Sequence, residues 1–195
     1  MITLVELGDR YWALGLPAAA RGVLARAHAL AAPTEAGPAR RLAELSLAVG
    51  DVAAARKHAT EAAKRQPGAA GRVLLGTAQL AAGELAAARM SFAQAIDAPA
   101  VTAAQRARAR LGLASVAELG RDSAGASANV MAAHDDLLGS LTAPTVPLAA
   151  RVELVERDCG PYEEVVARVV TCGGSADAEA AFAAAPEDAP IRLWR

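Results

Sequence analysis

The chain has 195 residues, of which 54% are hydrophobic but only 3% are aromatic, and alanine is the most abundant residue. Alanine is the best helix former, whereas the β-branched and aromatic residues that strands favour are scarce, so the composition predicts helices and excludes a β-sandwich or barrel. A net charge of −1 provides no overall basic field for nucleic acid. No stretch of about 18 residues is both apolar and free of charges, so we expect no membrane span.

The start of the chain and its two cysteines predict a cytoplasmic protein. Glu6 and Asp9 lie where a signal peptide would need a basic start and an apolar core. Cys159 and Cys172 are too few for a disulfide framework. If the chain between them is helical, the two thiols are about 15 Å apart along the axis, so we expect them not to pair.

Three segments of the chain share one pattern of small residues, in which a glycine separates an apolar stretch from an alanine-rich one. The shared positions are Leu7, Gly15, Ala20, Ala27 and Pro33, then Leu42, Gly50, Ala55, Ala62 and Pro67, then Leu75, Gly83, Ala88, Ala95 and Pro99. Glycine permits a left-handed residue after a helix, alanines let helix backbones approach, and proline ends the second helix. The pattern therefore predicts helical hairpins, which must stack because each is too small to bury its own apolar face.

These units resemble the tetratricopeptide repeats (TPR) of bacterial helical-repeat proteins. The first unit matches best, since it also carries Tyr11, whereas Ser46 and Gln79 replace this aromatic in the next two units. Leu24 and Ala59 stand where the family usually has another aromatic residue, which implies shallower packing. The resemblance implies an all-α fold, namely a right-handed α-solenoid of antiparallel helical hairpins, with about five hairpins plus a C-terminal capping helix.

The repeats are expected to be followed by a separate C-terminal part. We expect TPR-like repeats over 1–138 (units of about 1–34, 35–67, 68–100 and 101–138), a linker over 139–146, and a hairpin, capping helix and tail over 147–195. The fourth unit is degenerate: Leu111 and Gly112 match the pattern, but Gly120 lies one residue late. Gly125 and Asn129 weaken its second helix, by about 1 kcal/mol for the glycine.

The sequence contains no motif typical of catalysis or of a metal site. His28, His58 and His134 are scattered, and none has a second histidine or a cysteine three or four residues away. The arginine run at 106–110 is typical of a solvated helix face, and aromatic platforms for single-stranded nucleic acid are missing. We therefore predict that the protein is not an enzyme, uses no cofactor or metal, and binds neither nucleic acid nor membranes.

In proteins of the resembling family, the first helix of each hairpin lines a concave groove that holds an extended peptide or a partner helix. The matching positions are Val5, Asp9 and Trp12 in the first unit, Arg40, Glu44 and Leu47 in the second, Val73, Thr77 and Leu80 in the third, and Arg106, Leu113 and Val116 in the fourth. Because Val5 and Asp9 replace its basic and amide residues, the family's carboxylate clamp is absent. Trp12 is either the strongest binding residue of the groove or part of the core.

The pattern predicts an adaptor or scaffold that binds a peptide or an amphipathic helix of another protein. Two alternatives stay open: a cytoplasmic chaperone for a secreted or assembling subunit, and a regulatory module of a larger signalling or transcription protein. Self-association is a further expectation, since Ile2, Leu4 and Val5 could form an apolar end face before the first hairpin. Residues 1–120 carry 14 basic and 9 acidic side chains against 6 and 12 in the remainder, a division that could also steer an acidic partner.

Overall fold

The computed structural model describes residues 3–141, which form eight α-helices and contain no strand. The helices are α1 (Leu4–Ala13), α2 (Pro17–Leu30), α3 (Gly37–Ala48), α4 (Val52–Arg65), α5 (Ala69–Ala81), α6 (Leu85–Ile96), α7 (Ala103–Leu119) and α8 (Ser123–Leu141). The all-α prediction is confirmed for this part of the chain. Helix α8 runs three residues into the expected linker at 139–146. The remaining predictions for Cys159, Cys172 and the C-terminal hairpin, capping helix and tail lie outside the described residues.

The chain divides into two compact units, Met1–Ser91 and Phe92–Arg195. In the first unit, α1 packs against α2 and α3 against α4, while α2 also contacts α3 and α4 also contacts α5. Alternate helices touch as well, α1 with α3 and α3 with α5. In the second unit, α7 packs against α8. Helices α1, α3 and α5 are therefore neighbours within the first unit.

The turns after α1, α3 and α5 have the same geometry, as the repeated glycine predicts. The three glycines are in the left-handed region, with φ of 72° at Gly15, 77° at Gly50 and 75° at Gly83. After α3, for example, the Gly50 N–H donates to the Leu47 carbonyl at 3.1 Å and the Asp51 N–H donates to the Ser46 carbonyl at 2.8 Å. These bonds satisfy carbonyls that the end of a helix leaves without partners.

The turn after α7 corrects the predicted register of the fourth unit. Its left-handed residue is Arg121, with φ of 60°, whereas Gly120 has φ of −78°. The Arg121 N–H donates to the Glu118 carbonyl at 3.0 Å, three residues back, as the glycines do in the other turns. In the first unit Leu7 lies eight residues before the left-handed residue, whereas Leu111 lies ten residues before Arg121. The sequence match of Leu111 and Gly112 is therefore wrong by two residues, because the turn forms after a longer helix and without a glycine.

Buried alanines occupy the positions where the pattern predicts close approach of helices. The two alanines of the three matching units are Ala20 and Ala27, Ala55 and Ala62, and Ala88 and Ala95, all of them buried. In the register defined by Arg121, the fourth unit places Ala126 and Ala133 at the same two positions, and both are buried. The same two alanine positions are therefore buried in all four units.

Candidate functional site

Nine of the twelve predicted groove residues lie on α1, α3 and α5, and we call their surface the α1–α3–α5 face. Each residue lies ten, six or three positions before a left-handed glycine, and residues at this spacing share one side of a helix. The nine residues form three rows across the helices: the outer row Val5, Arg40 and Val73, the polar row Asp9, Glu44 and Thr77, and the apolar row Trp12, Leu47 and Leu80. Because α1 contacts α3 and α3 contacts α5, the members of each row lie on neighbouring helices.

The apolar row combines an accessible aromatic residue with two leucines that are partly covered. Trp12 is 42% exposed. Leu47 and Leu80 are half-buried, and Leu47 packs against a core cluster that contains Ala43, Ala59 and Ala78. The row therefore offers apolar side chains to solvent while Leu47 rests on the core.

Two members of the polar row, Asp9 and Glu44, are linked by Arg41, which the sequence interpretation missed. The Arg41 guanidinium lies between two carboxylates, with Nη2 3.3 Å from Asp9 Oδ2 and Nη1 2.8 Å from Glu44 Oε2. The hydrogen bond to Glu44 is the largest cause of the raised pKa of Arg41, and Asp9 adds to it. The Thr77 hydroxyl donates to the Val73 carbonyl at 2.9 Å. Each predicted member of this row thus has a partner within the protein.

The outer row is largely part of the core. Val73 is buried, and Val5 is half-buried against a cluster that includes Leu24 and Leu42. Arg40, in contrast, is exposed, and no carboxylate among the described residues lies within ion-pair distance of it. Arg40 is therefore the accessible member of the outer row, and it carries a charge that the described residues do not neutralise.

The fourth predicted set lies on α7 in the second unit, and most of it is involved in internal contacts. Arg106 Nε lies 3.0 Å from Asp136 Oδ1, and Arg110, from the same arginine run, also pairs with this carboxylate at 2.7 Å. Leu113 is half-buried and Val116 is buried. In the register set by the turn after α7, the positions equivalent to the three rows are instead Leu111, Ser115 and Glu118. A binding role for Arg106, Leu113 and Val116 stays a prediction.

Two of the three histidines, which look scattered in the sequence, come together in the structure. The rings of His28 on α2 and His58 on α4 lie 5.7 Å apart at an angle of 84°. Burial, with a smaller effect from the nearby His28, lowers the pKa of His58. Nothing in the sequence spacing signals this contact, because it depends on how the two hairpins pack. Within residues 3–141, no group of three or more histidine, cysteine, aspartate or glutamate side chains could hold a metal ion.

No protein-family model matches this chain, and no curated protein sequence matches it. Of the helices described above, none combines the length and the apolar character that a bilayer crossing requires.

Proposed function

We propose that this chain is a protein-binding module, in which TPR-like hairpins form a right-handed α-solenoid and the α1–α3–α5 face holds a segment of another protein. Three observations support the repeat architecture: the shared geometry of the hairpin turns, the buried alanine pairs, and the contacts between alternate helices. In such an arrangement, the first helices of successive hairpins supply a continuous surface for a ligand.

The accessible apolar row is the observation that carries the binding proposal. Tryptophan side chains often dominate the energy of protein interfaces, and Trp12 keeps 42% of its surface in solvent although the neighbouring leucines are partly covered. The ion pairs of Arg41 belong to the polar row, which follows the apolar row along one side. An apolar row with polar groups beside it is typical of a site for a peptide or a helix of a partner.

The test is to compare proteins captured from the source cell by three forms of the full chain. The first is wild type, and the second carries Trp12→Ala, Leu47→Ala and Leu80→Ala together. The third is a control with Leu30→Ala, Met90→Ala and Leu119→Ala, three residues that are 71%, 63% and 63% exposed and lie outside the face. We expect wild type and control to capture the same partner, identified by mass spectrometry, and the second form to lose it.

A further variant separates binding from stability. Trp12→Ala alone removes the most exposed member of the row and leaves the half-buried leucines in place, so we expect circular dichroism to retain its helical signal while capture weakens. Capture that survives the triple substitution would contradict the proposal. Capture of one abundant apolar subunit in stoichiometric amount would favour the chaperone alternative over a general adaptor.

A further inference from the structure

Three positions of the second unit face the hairpin before it. They lie one, eight and fifteen residues after the left-handed glycine, and they are Asp51, His58 and Arg65. Asp51 Oδ2 lies 3.5 Å from Arg21 Nη1 on α2. His58 meets His28, also on α2, with 5.7 Å between the ring centroids. Arg65 Nη1 donates to the carbonyl of Ala32, just after α2, at 3.2 Å. At each position, a polar side chain therefore contacts α2 or the residues that follow it.

In the first unit, the same three positions carry apolar side chains. They are Leu16, Val23 and Leu30, and we call their surface the α2 stripe. Leu16 is 49% exposed, Leu30 is 71% exposed and Val23 is half-buried. Because these residues are seven apart, they share one side of α2 over a length of about 21 Å. The positions are thus polar where a hairpin covers them and apolar where the described residues leave them accessible. An exposed apolar row of this kind marks a surface that another molecule covers.

The α2 stripe is complementary to itself when two copies of α2 pack antiparallel. With a two-fold axis at Val23, Leu16 of each copy lies beside Leu30 of the other, because both are seven residues from the axis. Arg26, a charged residue on the flank of the stripe, comes beside the small side chain of Ala19 of the other copy. The two Arg26 residues are about 9 Å apart along the helix axes, so like charges do not face each other. A second copy therefore covers the stripe with leucine on leucine and without opposed charges.

We propose that this chain forms a homodimer in which the α2 stripes of two copies pack antiparallel about a two-fold axis. This interface differs from the end face expected from the sequence, since Val5 packs inside the first unit against the cluster that contains Leu24 and Leu42. It also lies on α2 rather than on the α1–α3–α5 face. The dimer therefore goes beyond the proposed function and does not depend on it.

Sedimentation velocity of the full chain at about 1–100 µM tests for the dimer. We expect a reversible monomer–dimer equilibrium with a micromolar Kd, because the stripe is smaller than the roughly 800 Å² per partner that stable interfaces bury. A protein that stays monomeric up to about 100 µM would overturn the proposal and leave the stripe to a different protein. Assemblies that grow beyond a dimer as the concentration rises would also overturn it, because a two-fold contact closes on itself.

A pair of matched variants tests the location of the interface. Leu30→Arg places a charge on the stripe, and Met90→Arg places the same charge on α6, at a residue that is 63% exposed. We expect Leu30→Arg to raise the Kd of the dimer by about tenfold or more, and Met90→Arg to leave it unchanged. Circular dichroism should show the same helical signal for both, since neither side chain is buried. An equal loss of the dimer in both variants would contradict an interface at the stripe.

A rescue experiment tests the antiparallel arrangement. Leu16→Glu alone should weaken the dimer by about tenfold or more, because a carboxylate then faces Leu30 of the other copy. When Leu16→Glu is combined with Leu30→Arg in one chain, each new carboxylate lies beside a new guanidinium of the other copy. We expect the Kd of this double variant to be about threefold or more lower than that of either single variant, and to rise with salt. Within one chain the two positions are about 21 Å apart, so a rescue requires contact between copies. A double variant as weak as the single variants would overturn the pairing of Leu16 with Leu30.

Discussion

At the scale of single residues, the core depends on glycines that face large side chains on a neighbouring helix. Phe92 on α6 is 1% exposed, and a Cβ atom added at Gly112 on α7 would lie 2.4 Å from Phe92 Cζ. A Cβ atom at Gly8 on α1 would similarly lie 2.7 Å from Leu24 Cγ, and Leu24 is 2% exposed. Real carbon atoms do not approach this closely without bonding, so each large side chain requires the glycine opposite to it.

Replacing Gly112 should therefore destabilise the protein. We expect Gly112→Ala to lower the free energy of unfolding by about 1–3 kcal/mol, because the buried ring of Phe92 has to move. The control is Gly22→Ala in α2, where an added Cβ meets no atom within 4 Å. It should raise the free energy of unfolding by about 0.5–1 kcal/mol, since alanine favours the helix. Urea denaturation followed by circular dichroism measures both, and a Gly112→Ala protein as stable as wild type would contradict the packing argument.

The lowered pKa of the partly buried His58 makes stability depend on pH. His28 Nδ1 is buried and has no hydrogen-bond partner among the described residues. Burial is the largest cause of the lowered pKa of His58, followed by the charges of His28 and Lys57, and these outweigh the opposing effects of Glu61 and Asp51. Because the pKa of His58 is lower in the folded than in the unfolded state, the unfolded state takes up the proton first as pH falls. The free energy of unfolding should therefore be highest above about pH 6.5, the pKa of His58 in the unfolded state, and should decline as the pH falls below it.

Thermal unfolding can test this dependence. Between about pH 7.5 and pH 5.5, a range above the titration of most carboxylates, we expect the Tm of wild type to fall more than that of His58→Gln. Glutamine is close in size and does not titrate, so the difference between the two proteins isolates the histidine. Parallel Tm profiles of wild type and His58→Gln would show that the titration of His58 contributes nothing to the pH dependence.

At the scale of the secondary-structure elements, the turns that join paired helices use one backbone geometry with two kinds of residue. Glycine occupies the left-handed position after α1, α3 and α5, whereas Arg121 occupies it after α7. A side chain in this conformation costs about 1–2 kcal/mol, because its Cβ comes too close to the backbone. The hydrogen bonds from the Arg121 and Asp122 N–H groups, at 3.0 and 2.9 Å, are the same kind that form in the glycine turns. The fourth turn thus keeps its shape despite a strained residue.

Introducing a glycine at the fourth turn should stabilise the protein, whereas removing a glycine from one of the other turns should destabilise it. We expect Arg121→Gly to raise the free energy of unfolding by about 0.5–1 kcal/mol, since relief of strain exceeds the added flexibility of the unfolded chain. Gly50→Ala should lower it by about 1 kcal/mol or more through backbone conformation alone, because an added Cβ there meets nothing within 4 Å. Chemical denaturation of both variants checks the pair. A less stable Arg121→Gly protein would mean that the arginine side chain contributes contacts that outweigh its strain.

At the scale of the whole molecule, helices and turns were predictable because their signals are local. The alanine content and the scarcity of strand-forming residues predicted the all-α fold, and the spacing of Gly15, Gly50 and Gly83 predicted the positions of three left-handed turns. The register of the fourth unit was mispredicted for the same reason: a pattern that depends on glycine does not detect a turn that contains Arg121. Local signals therefore located the elements wherever the expected residue type was present.

The amino-acid sequence by itself determined the helical character of residues 3–141, the left-handed turns at three glycines and the buried alanine positions, because each depends on residues that are close together in the chain. Only the tertiary structure decided which side chains meet across hairpins. Arg41 on α3 pairs with Asp9 on α1, and His28 meets His58, although each of these contacts links residues about 30 positions apart. Such pairs follow from the relative positions of packed helices, which a linear pattern of small residues does not specify.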